Sequence, residues 1–290
     1  MKTPFLTVII PTYNRADILA RCLENLKNQT TKDFEVIIVD DGSTDNTREI
    51  AKKFPKFKYI HQSNQGQGNA RNNALKYAAG EVILFIGDDM LPEENALQEH
   101  ILTHKKHPQS NFAVLGLVLW HPEIKTTPFM KWLVNGKKGG TQFAYDLLEN
   151  RKEADYNFFY TANISIKKKL LSKHRFDSDF TSYGWEDIEL GYRLTKEENL
   201  RLLYNPKAVV YHHHEIDEKS LANRMRSIGI SAKIFHQKHP ELKKVPSPDK
   251  MLTLQIISCS PILALTKIFN KNLYWYLLSK KYFLEGLKEV

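Results

Sequence analysis

Val36-Ile37-Ile38-Val39-Asp40-Asp41-Gly42-Ser43 and Val82-Ile83-Leu84-Phe85-Ile86-Gly87-Asp88-Asp89 share one form, a short apolar run that ends in acids. Four or five consecutive branched and aromatic residues suit a strand buried on both faces, as in a parallel sheet. An open α/β sheet places its ligand at the carboxyl ends of such strands. A chain that only had to fold would gain little from stacking carboxylates there. The two runs therefore point to an α/β enzyme that handles a metal-bound, phosphate-bearing substrate.

Outward from these runs the chain alternates. The pattern predicts strands over 5–10, 35–39, 57–60 and 82–86 and helices over 17–28, 44–54, 68–79 and 92–107. In the first helix Ile18, Leu19, Cys22, Leu23 and Leu26 share one face. Such alternation implies a mostly parallel sheet with right-handed crossovers. Beyond 110 the order changes. Strands are predicted over 112–120, 158–166, 201–204 and 208–211, and helices over 168–173, 186–198 and 217–238. The stretch 122–156 reads as an irregular loop or small helical insertion over the site.

At 290 residues, 42% hydrophobic and 26% charged, the chain has room for one large α/β domain with an appendage, and disorder is not expected. The formal charge of +9 suggests an anionic partner. Cys22 and Cys259 form no metal pattern or disulfide framework, so both read as small core residues in a reducing compartment. The N-terminus enters a strand without a signal-peptide h-region, and no run of about twenty apolar residues marks a spanning helix. The last fifty residues mix leucines and aromatics with eight lysines against four acids. That mixture fits a helix lying on an anionic membrane, or equally a helical pair packed on the protein's own core.

Six clusters carry chemistry. Pro11-Thr12-Tyr13-Asn14-Arg15, at the exit of the first strand, offers a ring and polar edges to a nucleotide base; an ordinary turn has the same composition. A carboxylate of Asp40 or Asp41 can accept from a base or a ribose hydroxyl, although capping explains Thr44 and Asp45. Gly66, Gly68 and Arg71 open a helix in a Gly- and amide-rich loop that suits phosphate, but match neither a Walker loop nor a dinucleotide fingerprint. Asp88 and Asp89 suit Mg²⁺ or Mn²⁺, which prefer oxygen ligands. Gly184-Trp185-Glu186-Asp187 sets an aromatic wall beside carboxylates, as a general base requires. His212 and His214 alternate on one strand face and raise the odds of a metal or phosphate contact.

In this order and spacing the segments "VIIPTYNR", "VDDGSTD", "NQGQGNARNNAL", "FIGDDM" and "GWEDIELGYRL" resemble family-2 glycosyltransferases of the GT-A fold over roughly residues 5–215. The Gly-Trp-Glu-Asp segment with its histidine strand is also similar to a galactosyltransferase-type C-terminal half. The resemblance implies a Rossmann-like α/β domain over 1–215, with a mixed, mostly parallel sheet, a nucleotide half (1–110) and an acceptor half (111–215). A helical region, 216–290, follows it. It implies a nucleotide-sugar donor, with a uridine diphosphate sugar favoured, and a glycan or lipid-linked acceptor in cell-surface polysaccharide synthesis. Pro11, Thr12, Tyr13, Arg15, Asp40, Asp41, Gly66, Arg71 and Asp88 are then the nucleotide residues. Asp89 with His212 or His214 holds Mn²⁺ or Mg²⁺. Asp187 is the base, with Glu186 beside it, and Gly184 and Trp185 meet the acceptor. The implied location is cytoplasmic, at the inner face of the plasma membrane.

One departure bears on the metal. The family's Asp-x-Asp has Gly87 in its first place, so Asp88 takes the ribose contact and Asp89 the metal. Two rival readings are a nucleotide-sugar-binding scaffold, supported only by Gly87, and a sugar nucleotidyltransferase. The second lacks its Gly-rich, basic loop after the first strand. Nucleic acid is not an expected partner, because the acids at the strand tips repel phosphates and no nucleic-acid module is present.

Overall fold

The computed structural model describes residues 3–289. In chain order the elements begin β1 (Leu6–Thr12), α1 (Ala16–Lys27), β2 (Phe34–Asp40), α2 (Thr47–Lys52), β3 (Lys58–His61), α3 (Gln67–Ala74), β4 (Val82–Ile86), β5 (Met90–Pro92), α4 (Ala96–Lys106) and β6 (Phe112–Trp120). They continue with α5 (Pro128–Leu133), β7 (Glu153–Ala154), β8 (Asn163–Lys167), α6 (Lys168–Lys173), α7 (Glu186–Glu198), β9 (Arg201–His212), α8 (Leu221–Lys238), α9 (Pro248–Ile257), α10 (Ser260–Phe269) and α11 (Lys271–Gly286).

The nine strands of the described residues form one mixed sheet in the order β3-β2-β1-β4-β8-β6-β9-β5, with β7 also on β9. β3, β2, β1 and β4 run parallel, as the strand–helix alternation demands. β8 enters antiparallel between β4 and β6, and β6 is again parallel to β9. β1 and β4 are buried at every position, which their unbroken apolar runs required. Leu19, Cys22, Leu23 and Leu26 are the buried stripe of α1, while Ile18 lies at its margin.

The chain divides into two compact units. One contains the chain up to Lys125, Leu148–Ser178 and Asp187–His214, and so the whole sheet. The other contains Thr126–Leu147, Asp179–Glu186 and everything from Glu215 onward. In this second unit α8 and α11 pack closely. Gly229 lets the Phe283 carbonyl approach, and a side-chain carbon there would sit 2.3 Å from that oxygen.

Several expected boundaries move. Pro92 ends the short strand β5 instead of opening a helix, and α4 begins at Ala96. Phe158 and Phe159 are buried without entering the sheet, and β8 starts only at Asn163. The two strands expected over 201–211 are one, β9, whose register against β6 slips between Gly116 and Leu117. The extra residues of β9 are absorbed there as a bulge. α3 stops at Ala74 and α2 at Lys52, each short of expectation, and a 3₁₀ turn at Glu218–Ser220 precedes α8. Cys22 is buried, but Cys259 is exposed at the N-terminus of α10, so the core reading fails there. The apolar run around it is amphipathic on a helix, and its outer face is not covered.

Candidate active site

The parallel register sets Thr12 beside Asp40 and brings the ends of β1, β2 and β4 to one edge of the sheet. There the loop after β4 turns its acids back toward β1. Thr12 Oγ1 donates to Asp88 Oδ2 at 2.7 Å. Arg15 Nη1 bridges Asp88 Oδ1 at 2.8 Å and Asp89 Oδ2 at 2.9 Å. Asp89 Oδ2 also meets His212 Nε2 at 3.2 Å, and both side chains are buried. Burial and then the adjacent Asp89 charge push the Asp88 carboxyl upward. Burial acts the same way on Asp89, but the His212 ring and the Arg15 guanidinium outweigh it and hold that carboxyl well below the usual range. Two neighbouring acids thus acquire different proton affinities from their different partners.

Gly87 has a steric reason. A side-chain carbon on it would stand 2.8 Å from Asp89 Oδ1. The first acid of an Asp-x-Asp motif would therefore collide with the carboxylate that Arg15 and His212 hold.

Both acids after β2 have partners inside the fold. Asp40 accepts from the Ser43 N–H at 2.8 Å and the Tyr59 hydroxyl at 2.6 Å. Asp41 accepts from the backbone N–H groups of Gln65 and Gly66, at 3.0 and 2.9 Å, and from Gln62 Nε2 at 2.8 Å. Asp41 thereby fixes the Gly-rich loop at the start of α3, where Gly66 takes φ +85°. The loops after β1 and β2 are joined as well. Asn14 N–H donates to Ser43 Oγ, Thr44 N–H to Asn14 Oδ1, and Ala16 N–H to Asp45 Oδ2. Pro11 is buried as the penultimate residue of β1, whereas Tyr13 is exposed.

Arg71, on α3, is buried, with Nη2 3.1 Å from Gln67 Oε1 and its guanidinium 5.4 Å from the Phe176 ring. Asp187, near the start of α7, accepts from Thr161 through both the peptide N–H (3.2 Å) and the hydroxyl (3.3 Å). Burial lifts the Asp187 carboxyl above its ordinary value. The Thr161 N–H and the Arg71 charge only partly offset this. Glu186 is buried too. In the second unit, Gly184 and Trp185 have φ +100° and +72°. A left-handed Trp is strained, and such strain collects at functional sites. Its ring rests 5.3 Å from Phe235, with Lys244 Nζ 5.3 Å from its centre.

The histidines separate. His212 is buried against Trp120 and faces Asp89; His214 is exposed, its ring 6.1 Å from that of His212. His213, not anticipated from the sequence, joins His121 and Glu123 in a group whose ligand atoms lie within 4.8 Å of one another. The pairing of Trp120 with His212 puts the next residue of each strand side by side. Spacing along the chain could not show this. Partial burial, then His213, holds His121 below the usual imidazole range. Thr161 was also unforeseen, since no motif marks it.

For a divalent ion, Asp89 and His212 form an oxygen–nitrogen donor pair, buried and already converging at 3.2 Å. That donor set suits Mn²⁺ or Mg²⁺ completed by substrate phosphates and water.

The model of the family "Glycosyl transferase family 2" matches residues 7–170. Validoxylamine A glucosyltransferase of Streptomyces hygroscopicus subsp. jinggangensis (strain 5008) is 30% identical over 265 residues, which cover 82% of this chain and 62% of the relative. Chondroitin synthase of Escherichia coli is 30% identical over 268 residues, 81% of this chain and 38% of the relative. The chain thus spans less than two thirds of the length of either protein. Among solved structures, the mannosyltransferase PcManGT from Pyrobaculum calidifontis, in complex with GDP-Man and Mn²⁺, is similar with a TM-score of 0.65 at 19% identity. The match covers 99% of this chain and 86% of that one. The likeness shows an α/β GT-A fold with a mixed central sheet and a C-terminal helical appendage.

Proposed function

The chain belongs to glycosyl transferase family 2, and we propose on that premise that it moves a sugar from a nucleoside diphosphate sugar to a hydroxyl of a glycan or lipid-linked acceptor, with inversion. One observation carries this reading: the strand tips hold an Asp88–Arg15–Asp89–His212 cluster, while Asp187 is a half-buried carboxylate with a raised proton affinity. A metal-bound phosphate and a proton acceptor are the two requirements of such a transfer.

Thr12, Tyr13, Asp41 and Gly66 hold the base and ribose, with Asp40 and Pro11 shaping the turns beneath. Arg15 releases the acids when donor enters, and Asp88 then takes the ribose. Asp89 and His212 hold Mn²⁺ or Mg²⁺, with His214 at the rim. When bound, the cation supplies positive charge to the departing diphosphate. Asp187 removes the proton from the acceptor hydroxyl as its oxygen attacks the anomeric carbon in line, and Arg71 stabilises the charge that leaves. No covalent intermediate is required. Glu186 supports Asp187, while Gly184 and Trp185 hold the acceptor in a galactosyltransferase-type C-terminal half. Nucleotide recognition falls to 1–110, acceptor recognition to 111–215 and docking to 216–290. A uridine diphosphate sugar is the favoured donor. The name chondroitin synthase supports a glycan acceptor, and the Mn²⁺ of the mannosyltransferase complex supports the cation.

We further assign the C-terminal helices to an anionic membrane surface at the inner face of the plasma membrane. Leu252 and Ile256 on α9 and Leu265, Ile268 and Phe269 on α10 are exposed, Phe269 at 78%. Lysines 243, 244, 250, 267 and 271 flank them. Apolar anchors among cations suit an interface of negative headgroups. Among the described residues no single helix is long and apolar enough to cross a membrane. α9 and α10 together reach that length and composition, but with a 60° bend.

Incubation with a panel of nucleotide sugars, Mn²⁺ and glycan or polyprenyl acceptors tests the transfer. Sugar transfer that Asp187→Asn loses while keeping donor binding is the expected result. Donor binding with no turnover on any acceptor would make the chain a scaffold. Pyrophosphate from a sugar phosphate and a nucleoside triphosphate would make it a nucleotidyltransferase.

A further inference from the structure

His121, Glu123 and His213 meet at the ends of β6 and β9, apart from the residues assigned above to the donor cation. The His121 N–H bonds to the His212 carbonyl at 3.1 Å, continuing the parallel ladder one step beyond the strands. This fixes the two imidazoles next to each other, with ring centres 4.7 Å apart. Glu123, two residues past His121, folds back so that Oε2 lies 3.1 Å from His213 Nε2 and 3.8 Å from His121 Nδ1.

Arg21 Nη1 lies 2.8 Å from His213 Nε2. A guanidinium only donates, so toward Arg21 the His213 Nε2 presents a lone pair, whereas toward Glu123 Oε2, 3.1 Å away, the same nitrogen would have to donate. The same Nη1 donates to Glu123 Oε2 at 2.9 Å. The peptide N–H of Glu123 donates to His121 Nδ1 at 3.3 Å, so that nitrogen also carries a lone pair. With His213 Nε2 unprotonated, three lone pairs on two imidazoles and one carboxylate converge, and Arg21 answers two of them. Arg21 is about half exposed and is free to swing outward.

We propose that His121, Glu123 and His213 form a second metal site, selective for a borderline transition ion such as Zn²⁺ or Co²⁺, in which the ion displaces Arg21. Two imidazoles and one carboxylate are a donor set that such ions take in open sites, with remaining positions left to water or an anionic oxygen. Mg²⁺, which prefers oxygen, is a poor competitor there.

The test is calorimetric titration of the full chain with Zn²⁺ in excess Mg²⁺, backed by the visible spectrum of bound Co²⁺. The expected result is one Zn²⁺ per chain, weakened at least about tenfold by His121→Ala, Glu123→Gln or His213→Ala, a loss of about 1.4 kcal/mol. Arg21→Ala is expected to bind several times more tightly, because a competing cation is gone. Asp89→Ala is expected to keep this Zn²⁺. Circular dichroism verifies that each variant is folded; Arg21, His121, Glu123 and His213 are partly or fully exposed, and Asp89 is buried. Wild-type affinity in any of the three ligand variants, an Arg21→Ala variant no tighter than wild type, or loss of the Zn²⁺ in Asp89→Ala overturns the proposal.

Discussion

Asp89 Oδ1 lies 2.8 Å from the point where a side chain on Gly87 would begin. The missing first acid of the motif is thus tied to the position of the last one. Gly87→Ala is expected to push the Asp89 carboxylate away from Arg15 and His212. Half-maximal activity should then need several times more Mn²⁺, with the fold destabilised by no more than about 1 kcal/mol because only a side-chain end must move. Titration of activity against Mn²⁺, alongside a denaturant melt, checks both parts. An unchanged Mn²⁺ requirement removes the steric account.

As the proposed base, Asp187 must be ionised to accept a proton. Burial raises its pKa, so activity is expected to fall as pH falls through a value above the ordinary aspartate range. Asp187→Asn should lower kcat by roughly 10²–10⁴-fold, the usual contribution of a general base, with little change in donor affinity. Thr161→Val removes one of the two hydrogen bonds that Thr161 gives the carboxylate, leaving its own N–H and that of Ile188, and should move the acid limb further upward. A pH–rate profile of all three proteins decides this; an identical limb in Thr161→Val refutes the positioning role.

Beneath the sheet, His100 Nδ1 and His104 Nε2 share the Ser165 hydroxyl at 2.8 and 2.9 Å, and His100 Nε2 meets Asn163 Oδ1 at 2.9 Å. Burial lowers the two imidazoles to about 4 and about 3. The unfolded chain takes up these protons near 6.5 and the native chain does not. This share of stability is complete above about pH 6.5 and is lost as pH falls toward 4 and then 3. Between pH 6.5 and 5 each imidazole should cost about 2 kcal/mol. Urea melts of wild type and His100→Asn at the two pH values check this, the variant showing roughly half the loss.

Leu252, Ile256, Ile268 and Phe269 are exposed, so changing them to Asp should leave the melting temperature nearly unaltered. Binding to vesicles rich in phosphatidylglycerol is expected to fall at least about tenfold. Sedimentation with such vesicles measures it. Equal pelleting of wild type and the fourfold variant would send these residues to a protein partner.

The strands β1, β2 and β4 and the helices α1 and α7 were legible in the sequence because burial on both faces and a single amphipathic stripe leave strong periodic marks. The acids at the strand tips were legible for the same reason, since each stands at the end of such a mark. Register left no mark. That His213 lies beside His121 follows from β6 pairing with β9 across almost a hundred residues, and the bulge opposite Gly116 looked in the sequence like a break between two strands. The role of Asp40 and Asp41 in pinning turns was hidden as well, because a carboxylate that caps distant backbone looks the same in a sequence as one awaiting a ligand. Pro92 marked a helix start by rule, yet β9 was close enough to claim Met90–Pro92 as an edge strand.

The bonds from Asn14 to Ser43, from Thr44 to Asn14, from Ala16 to Asp45 and from Gln65 and Gly66 to Asp41 join three loops of three different crossovers. The conformational entropy of these loops is therefore surrendered when the chain folds, not when a ligand arrives. On the proposed assignment, a nucleotide meets a surface already set, and little affinity is spent on ordering it. Encounter rates should then be similar for different nucleotides, and discrimination among them should be read in how slowly each one leaves.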